Sequence, residues 1–302
     1  MGQENVMGQA VGMVGVGVMG FAMAANLRQA GFEVVGYDPV PAAIARLAGI
    51  GASGVGSARA VAEACSIVIL SLPSSQALAA AVEGDTGLAA AATEGLVAIE
   101  CSTLPLADKR AAFEVMAAAG QTLLDCPLSG TGAQAVVKDL VVFGSGDQAA
   151  FERCRPVFEG MSRVQRYLGA FGNGSVMKYL ANLLVTIHNV STAEAMVLGL
   201  KAGLDPSLIY DTLADSAGTS RMFQVRGPLM RDASYDTPTF TIRTHLKDLA
   251  IIGDFVQELN SPTPLFSAAA QIYHAGAAQG RDMQDTAAVC AVLEGLAGLP
   301  SR

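Results

Sequence analysis

The chain has 302 residues, enough for one large domain or two of ordinary size. Hydrophobic residues make up 51% and charged residues 15% of the sequence, which excludes a disordered composition and supplies ample material for a core. The formal net charge of -8 and the lack of any Lys/Arg cluster argue against nucleic acid as a partner, because its phosphates would be repelled.

The first apolar stretch, residues 5–27, carries no charge and invites a signal-peptide or membrane interpretation. Three features oppose it: Glu4 rather than a basic cluster precedes the stretch, glycines interrupt it, and a complete glycine motif lies inside it. We therefore expect a cytoplasmic protein with no targeting segment and no membrane partner.

The cysteines are scattered, odd in number and free of any CxxC pair, which predicts reduced and mostly buried thiols. With only three histidines in the chain, no cluster of metal ligands stands out, and we expect no metal site. The cysteines are Cys65, Cys101, Cys126, Cys154 and Cys290.

The first half alternates short apolar runs with Ala-rich helical stretches, which predicts a mostly parallel sheet with helices on both faces. Right-handed crossovers then give a Rossmann-like domain. A first helix is expected over residues 21–29. The predicted strands are 10–14, 33–37, 67–72, 96–100 and 122–124, with a late strand over 136–143.

After residue 169 the pattern changes to helical periodicity. A long helix is predicted over 175–202, followed by helices at 207–214, 244–259, 264–280 and 285–296. The predicted fold class is an α/β Rossmann-like domain, residues 1–171, and an all-α domain, residues 172–302, joined by the long interdomain helix. Because this helix is apolar on most of its circumference, we expect it to pack against a second subunit as well, as a homodimer or homotetramer.

A glycine motif, Gly15–Gly20, follows the first predicted strand and opens the first helix, as a dinucleotide-binding fingerprint requires. Gly15 permits the tight turn, Gly17 lets a pyrophosphate approach the backbone, and Gly20 lets helix and strand pack closely. Val18 and Met19 complete the turn, whose free N–H groups face the phosphates.

Asp38 ends the second predicted strand about 20 residues after the fingerprint, where the ribose-binding acid is expected. Its carboxylate can accept hydrogen bonds from a ribose 2′-hydroxyl and would repel a 2′-phosphate. Since Pro39 rather than an arginine follows, the sequence favours NAD over NADP. A plain turn residue before proline is the alternative interpretation.

Two further strand ends carry Leu72, Pro73 and Thr103. Ligands in such sheets bind at the carboxyl ends of the strands, so these residues are candidate walls of a nicotinamide pocket. Pro73 and Thr103 are equally compatible with ordinary helix entry.

Four segments together resemble the beta-hydroxyacid dehydrogenases, the family of 3-hydroxyisobutyrate dehydrogenase, tartronate semialdehyde reductase and glyoxylate reductases. The resemblance extends over essentially the whole chain in the right order. The segments are the fingerprint with Met19, Asp125–Ala133, Gly172–Asn182, and Phe240 with Lys247–Leu249.

The resemblance implies that Lys178 is the catalytic acid/base and that a small carboxylate-bearing substrate binds beside it. A lysine can serve as a base when desolvation or a nearby cation moves its pKa towards about 7–8. Lys178 lies in the first turn of an otherwise apolar helix, whose dipole disfavours the charged form, and Asn182 shares its helix face. The alternative is a solvated surface lysine.

The resemblance also implies a set of substrate contacts, and it assigns Lys247 to the cofactor as well. Lys247 and Asp248 can alternatively form a helix-surface ion pair, and Asp285 can cap the last helix rather than touch a ligand. Two departures, Thr131 for a second glycine and Leu183 for a second asparagine, bear on substrate size or polarity. The implied substrate contacts are Ser129, Gly130, Thr131, Asn182, Phe240, Lys247 and Asp248.

These observations predict an NAD-dependent oxidoreductase that transfers a hydride between NAD and a small 3-hydroxy acid, or the corresponding semialdehyde or keto acid. Two alternatives remain: an imine reductase-like enzyme, which commonly lacks the lysine, and a non-catalytic dinucleotide-binding protein. The retained Lys178 and the lack of a basic appendage argue against both.

Overall fold

The computed structural model describes residues 8–300 and residue 302. The chain divides into two compact units between Lys178 and Tyr179. The first unit contains the strands, and the second is helical throughout the described residues apart from one isolated bridge between Thr241 and Asp285. The predicted class, a Rossmann-like domain followed by an all-α domain with a long helix, is confirmed.

The first unit is built on a six-stranded sheet in the order β3-β2-β1-β4-β5-β6, in which every pair is parallel. Its strands are β1 (Ala10–Val14), β2 (Glu33–Tyr37), β3 (Ser53–Gly54), β4 (Ile67–Leu70), β5 (Val97–Glu100) and β6 (Thr122–Asp125). The intervening helices are α1 (Val18–Gln29), α2 (Pro41–Gly49), α3 (Ala58–Ala64), α4 (Ser75–Val82) and α5 (Leu106–Ala118).

Successive side chains of β4 enter two different cores, one on each face of the sheet. Ile67 and Ile69 pack in one core and Val68 and Leu70 in the other, and all four are fully buried. Each such side chain contributes about 1.5–3 kcal/mol of hydrophobic stabilisation. Burial on both faces is why these strands are continuous apolar runs rather than alternating patterns.

A second, three-stranded sheet lies between β6 and the long helix in sequence, in the order β7-β8-β9 with β7 antiparallel and β9 parallel to β8. The strands are β7 (Leu128–Ser129), β8 (Val141–Gly144) and β9 (Val164–Tyr167), and the helices are α6 (Gly132–Val136), α7 (Gln148–Arg153) and α8 (Arg155–Met161).

The late strand predicted over 136–143 is wrong over residues 136–140, because β8 begins only at Val141. A capping box of Thr131 and Gln134 starts α6, which ends at Val136. Lys138 then has a positive φ of 60°, which turns the chain before β8 begins. Val136 and Val137 are β-branched but exposed, so their strand propensity is not supported by burial.

Helix α9 (Asn173–Lys201) carries the chain from the first unit into the second. The other helices of the second unit are α10 (Pro206–Ala214), α11 (Arg221–Arg231), α12 (Ile242–Glu258), α13 (Pro264–Ala278) and α14 (Val289–Leu296). Helix α11 was not among the predicted helices, and it contains Gly227 and Pro228, two residues that disfavour a helix interior. By length and composition α9 is apolar enough to cross a membrane, a test that core helices of globular proteins also pass.

All five cysteines are free and buried, as expected from their spacing. Burial raises the pKa of Cys65 to about 11 and the pKa of Cys154 and Cys290 to about 12. These thiols therefore remain protonated near neutral pH.

Candidate active site

The three fingerprint glycines differ in how much space is available for a side chain. Gly15 has a φ of +87°, and a Cβ there would overlap the carbonyl oxygen of Ser71. A Cβ on Gly20 would overlap the carbonyl oxygen of Gly15, where helix and loop pack closely. Gly17 faces open space, so a phosphate can approach its backbone. The exposed N-terminus of α1 follows, with no side-chain cap at Gly17.

Asp38 reaches from the end of β2 to the fingerprint loop. Its Oδ2 accepts a hydrogen bond from the Val16 N–H at 2.7 Å, and its Oδ1 accepts one from the Val40 N–H at 2.9 Å. An arginine that sequence reasoning missed, Arg46 of α2, donates from Nη2 to the Val16 carbonyl at 2.7 Å. Its guanidinium stacks over the Phe21 ring at 5.1 Å. Arg46 is eight positions from Asp38, so only the turn of the helix brings it to the loop.

The loops after β4 and β5 are tied together by one serine. Ser102 Oγ accepts a hydrogen bond from the Leu72 N–H at 2.8 Å, and the Ser102 N–H donates to Glu100 Oε1 at 2.9 Å. Leu72 and Thr103 are half-buried beside this link, and Pro73 is exposed. The structure thus brings together the loops that carry the predicted nicotinamide contacts.

The predicted carboxylate-binding loop follows β7. Gly130 has a φ of +141°, and a Cβ there would come within 2.5 Å of Leu140 Cδ2, so glycine is required. Thr131 is the N-cap of α6, with its backbone N–H donating to Gln134 Oε1 at 3.0 Å. This cap gives a structural reason for the departure from glycine, and it commits the Thr131 hydroxyl locally. Ser129 and Gly130 remain half-buried.

Lys178 and Asn182 lie one turn apart near the start of α9 and are 9% and 7% exposed. A spacing of four residues puts them on the same face of the helix. Asp125 holds the beginning of this helix: its Oδ2 accepts from the Ser175 N–H at 2.7 Å and its Oδ1 from Ser175 Oγ at 2.8 Å. This role of Asp125 was not predicted from the sequence.

A buried ion cluster, Glu100, Lys109 and Asp125, was also missed by the sequence analysis. Lys109 Nζ lies 2.5 Å from Glu100 Oε2 and 2.9 Å from Asp125 Oδ1, and all three side chains are fully buried. Burial by itself would lower the pKa of Lys109, but the two carboxylates outweigh it and raise that pKa above its ordinary range. Lys109 is therefore charged near neutral pH.

Within the second unit, the predicted residues Asn182, Lys247 and Asp248 come together. Asn182 Nδ2 donates to Asp248 Oδ2 at 2.9 Å, and Lys247 Nζ lies 3.5 Å from Asp248 Oδ1. Asp248 is 4% exposed, so the pair is not merely a surface ion pair. A carboxylate only accepts hydrogen bonds, which fixes the amide orientation of Asn182.

Two further residues support this group. Thr186 Oγ1 donates to the Asn182 carbonyl at 2.8 Å and lies 2.9 Å from His245 Nε2. The buried His245 ring packs edge-on against Phe240, with ring centroids 5.4 Å apart. The Phe240 ring is half-buried. Neither Thr186 nor His245 was a sequence candidate, since each reads as a core position of an apolar helix.

Asp285 has a structural role. Its Oδ1 accepts from the Ala287 N–H at 3.0 Å and caps the 3-10 turn Thr286–Ala288. Its Oδ2 pairs with the buried Arg226 Nη1 at 2.8 Å and accepts from the Thr239 N–H at 3.0 Å. Of the two interpretations of Asp285, this geometry supports capping.

Two family models match the chain in sequence. The NAD binding domain of 6-phosphogluconate dehydrogenase matches residues 10–170, and the NAD-binding domain of NADP-dependent 3-hydroxyisobutyrate dehydrogenase matches residues 172–293. The chain belongs to the beta-hydroxyacid dehydrogenase family. It is thus an oxidoreductase of the kind that uses a nicotinamide dinucleotide, and the resemblance seen in its motifs is confirmed.

Individual relatives cover nearly the whole chain. L-threonate dehydrogenase of Cupriavidus necator is 32% identical, over 96% of this chain and 98% of the relative. 3-Hydroxyisobutyrate dehydrogenase of Pseudomonas aeruginosa is 35% identical, over 87% and 90%. The solved structure of Mycobacterium tuberculosis 3-hydroxyisobutyrate dehydrogenase with L-serine superposes with a TM-score of 0.86 at 30% identity, over 95% and 99%.

Proposed function

We propose that this protein is an NAD-dependent dehydrogenase that reversibly oxidises a small 3-hydroxy acid, with Lys178 as the general acid/base. The observation that carries this is the position of Lys178, a lysine with nine-tenths of its surface buried at the start of an apolar helix. The relatives support the substrate class, because those named above act on small hydroxy acids.

Oxidation of an alcohol needs a base that takes the hydroxyl proton while hydride leaves the carbon that carries the hydroxyl group. When bound, the nicotinamide ring accepts or returns that hydride. Lys178 Nζ takes the hydroxyl proton in oxidation and returns it in reduction. Asn182, whose amide is fixed by Asp248, presents its remaining hydrogen-bonding groups to the substrate oxygen. Fixing both groups on one helix face supplies orientation before the reaction begins.

The residues of the first unit fit a dinucleotide. Gly17 leaves open the space a pyrophosphate would fill, and we assign Val18 and Met19 to the same phosphate-binding turn. Asp38 is our proposed ribose ligand, with Leu72, Pro73, Thr103 and Lys247 on the nicotinamide side. The Asp38 carboxylate favours NAD, although Arg46 lies beside the same loop and one matching family model is described as NADP-dependent.

The substrate carboxylate is assigned to the loop after β7. Gly130 lacks a Cβ and Ser129 offers a hydroxyl, so the loop can present N–H and O–H donors to an acid group. Thr131 contributes its backbone, since its side chain caps α6. Phe240 supplies an apolar wall and Lys247 a positive charge.

We further propose a cytoplasmic homodimer or homotetramer, with residues 1–171 as the cofactor domain and 172–302 as the substrate and dimerisation domain. Leu180, Leu184 and Leu198 of α9 are 49%, 50% and 72% exposed. Exposed leucines repeated along one helix are typical of a surface that a second subunit covers.

The test is NADH formation from a panel of 3-hydroxy and 2,3-dihydroxy acids, with NADP⁺ in parallel, for wild type and Lys178→Ala. Removing the base should lower kcat by about 10²–10⁴-fold while the affinity for NADH is retained. Lys201→Ala is the matched control, because Lys201 lies at the far end of the same helix and only donates to the Ala297 carbonyl.

Hydride transfer that survives Lys178→Ala would overturn the assignment of the base. Faster turnover of cyclic imines than of hydroxy acids would favour an imine reductase. Tight NADH binding with no turnover across the panel would favour a non-catalytic dinucleotide-binding protein.

A further inference from the structure

The cluster of Glu100, Lys109 and Asp125 lies at the carboxyl ends of two adjacent strands. Glu100 ends β5 and Asp125 ends β6, and the two are register partners in the sheet. Two carboxylates this close in a buried site repel one another strongly. Lys109 of α5 bridges them at 2.5 and 2.9 Å, which leaves the buried cluster with one excess negative charge.

Each carboxylate also holds a different part of the first unit. Glu100 Oε1 accepts from the Ser102 N–H, and Ser102 Oγ accepts from the Leu72 N–H, so Glu100 orders the two loops on the nicotinamide side. Asp125 accepts both the N–H and the hydroxyl of Ser175, so it orders the beginning of α9. The Lys109 ammonium group therefore links the loops held by Glu100 to the start of α9 held by Asp125.

A second serine strengthens the Asp125 side. Ser145 Oγ donates to Asp125 Oδ2 at 3.2 Å and accepts from the Gly174 N–H at 3.0 Å. Two consecutive N–H groups in the first turn of α9 therefore have partners tied to Asp125. The excess negative charge faces the positive end of the helix dipole, which adds to the attraction.

Stability alone does not account for this arrangement. Burying charges carries a large desolvation cost, and apolar residues of similar volume often stabilise a core equally well or better. What apolar residues cannot do is satisfy the N–H groups of Ser102 and Ser175 at the same time. The cluster therefore has a positioning role: it holds two loops and the start of α9 in fixed places around one buried cation.

We propose that Glu100, Lys109 and Asp125 act as one positioning unit for Lys178, holding the first turn of α9 in register with the loops of Leu72 and Ser102. Lys178 lies three residues after Ser175, so a shift of Ser175 moves the base directly. The inference rests on the proposed function for its catalytic consequence, but the ordering of Lys178 is measurable without turnover.

The first experiment compares wild type with Asp125→Asn and Ser175→Ala. Asparagine keeps the size of Asp125 but loses the charge and one acceptor, so the start of α9 should loosen. A displacement near 1 Å costs about 10²-fold in rate, so we expect kcat to fall by about 10- to 100-fold for Asp125→Asn. Ser175→Ala should lower kcat less, and Ser175→Thr, which keeps the hydroxyl, should restore it.

A purely structural role predicts a different set of results. Partial unfolding lowers the concentration of active enzyme and leaves the primary deuterium isotope effect on kcat/KM unchanged. Mispositioning slows hydride transfer itself, so this isotope effect should rise while the KM for NAD changes less than about threefold. Phe158→Leu is the matched control, because it weakens the core of the same unit away from the cluster.

The second experiment needs no turnover. Acetic anhydride labelling followed by peptide mass spectrometry measures the reactivity of each lysine, with the exposed Lys201 as internal standard. A loosened helix start should make Lys178 react at least about threefold faster in Asp125→Asn and in Ser175→Ala, through local opening. Unchanged labelling of Lys178 and an unchanged isotope effect in Ser175→Ala would overturn the proposal, even if Asp125→Asn fails to fold.

Labelling also separates this inference from the proposed function. A wild-type protein that oxidises no hydroxy acid, yet shows faster Lys178 labelling in both variants, would refute the function and keep the positioning role. If the wild type is active and both variants show normal Lys178 labelling and normal turnover, the proposed function is kept and the positioning role is refuted.

Discussion

Val16 in the fingerprint loop lies between two side chains of opposite charge. Its N–H is held by the Asp38 carboxylate and its carbonyl by the Arg46 guanidinium. A carboxylate at this position accepts ribose hydroxyls, and a guanidinium binds a 2′-phosphate in two-pronged geometry. We therefore expect the preference between NAD and NADP to depend on the relative influence of Asp38 and Arg46.

Replacing Asp38 should change the cofactor preference. Asp38→Asn removes the charge that repels a 2′-phosphate, and a hydrogen bond to a charged group is worth about 1.5–3 kcal/mol, so we expect kcat/KM for NAD to fall about tenfold or more. The same variant should gain activity with NADP, because the carboxylate would no longer repel a 2′-phosphate that Arg46 could bind. Initial rates with both cofactors at one substrate concentration measure the ratio.

Arg46→Ala combined with Asp38→Asn is the control for this change. If Arg46 receives the 2′-phosphate, the double variant should lose the NADP activity gained by Asp38→Asn. A gain that persists without Arg46 would show that only the removal of repulsion matters. No gain in the single variant would place the ribose elsewhere.

At the residue scale, positions fixed by short-range sterics could be predicted from the sequence. Gly15 and Gly20 were identified because a strand-turn-helix of that spacing leaves no room for a Cβ, and in the structure a Cβ at either position would overlap a backbone oxygen. Arg46 and Lys109 were not, since each meets its partner only through tertiary packing. Nothing in the local sequence separates a buried Lys109 from a solvated lysine on the outer face of α5.

At the element scale, helix α6 shows how a cap overrides strand propensity. Thr131 Oγ1 accepts a hydrogen bond from the Gln134 N–H, and the Thr131 N–H in turn donates to Gln134 Oε1. Loss of a threonine N-cap costs about 0.5–2 kcal/mol, most often about 1. Val136 at the end of α6 and Val137 after it had suggested a strand. Both side chains are exposed, so burial does not stabilise a strand there.

Thr131→Ala should therefore lower the free energy of unfolding by about 1 kcal/mol, and Thr131→Ser, which keeps the hydroxyl, should restore most of it. Urea denaturation followed by circular dichroism measures the difference. Stability equal to wild type in Thr131→Ala would mean that the hydroxyl is not used as a cap in solution.

Elements with a continuous apolar pattern in their own sequence were predicted well. Elements that form only through contacts with distant residues were not. Strand β4 is a fully buried apolar run, β5 is apolar up to the buried Glu100 that ends it, and α9 has apolar residues at helical spacing along most of its length. Strand β7 has two residues and exists only because β8 lies beside it, so no periodicity could reveal it. Helix α11 tolerates Pro228 because its fold partners, including the buried Arg226–Asp285 pair, hold it in place.

At the scale of the whole molecule, fold class followed from the order of periodicities, strand and helix alternation first and helices afterwards. The predicted fold class does not depend on any single element, because several buried strands alternating with helices are sufficient to indicate a parallel sheet. Assembly is different, since it depends on which faces remain uncovered. Exposure along α9 supplies this information, with Leu184 half exposed in the middle of the helix.

A charge placed on that face should prevent association of subunits. Leu184→Glu would bury a carboxylate against apolar side chains of a second copy, which costs several kcal/mol unless the charge is neutralised. We expect wild type to elute as a dimer or tetramer and Leu184→Glu to shift towards monomer in size-exclusion chromatography with light scattering. Val137→Glu is the control, because Val137 is 70% exposed in the first unit and should leave the mass unchanged. Wild-type mass in Leu184→Glu would move the interface away from α9, and a monomeric wild type would mean that the exposed leucines have another partner or none.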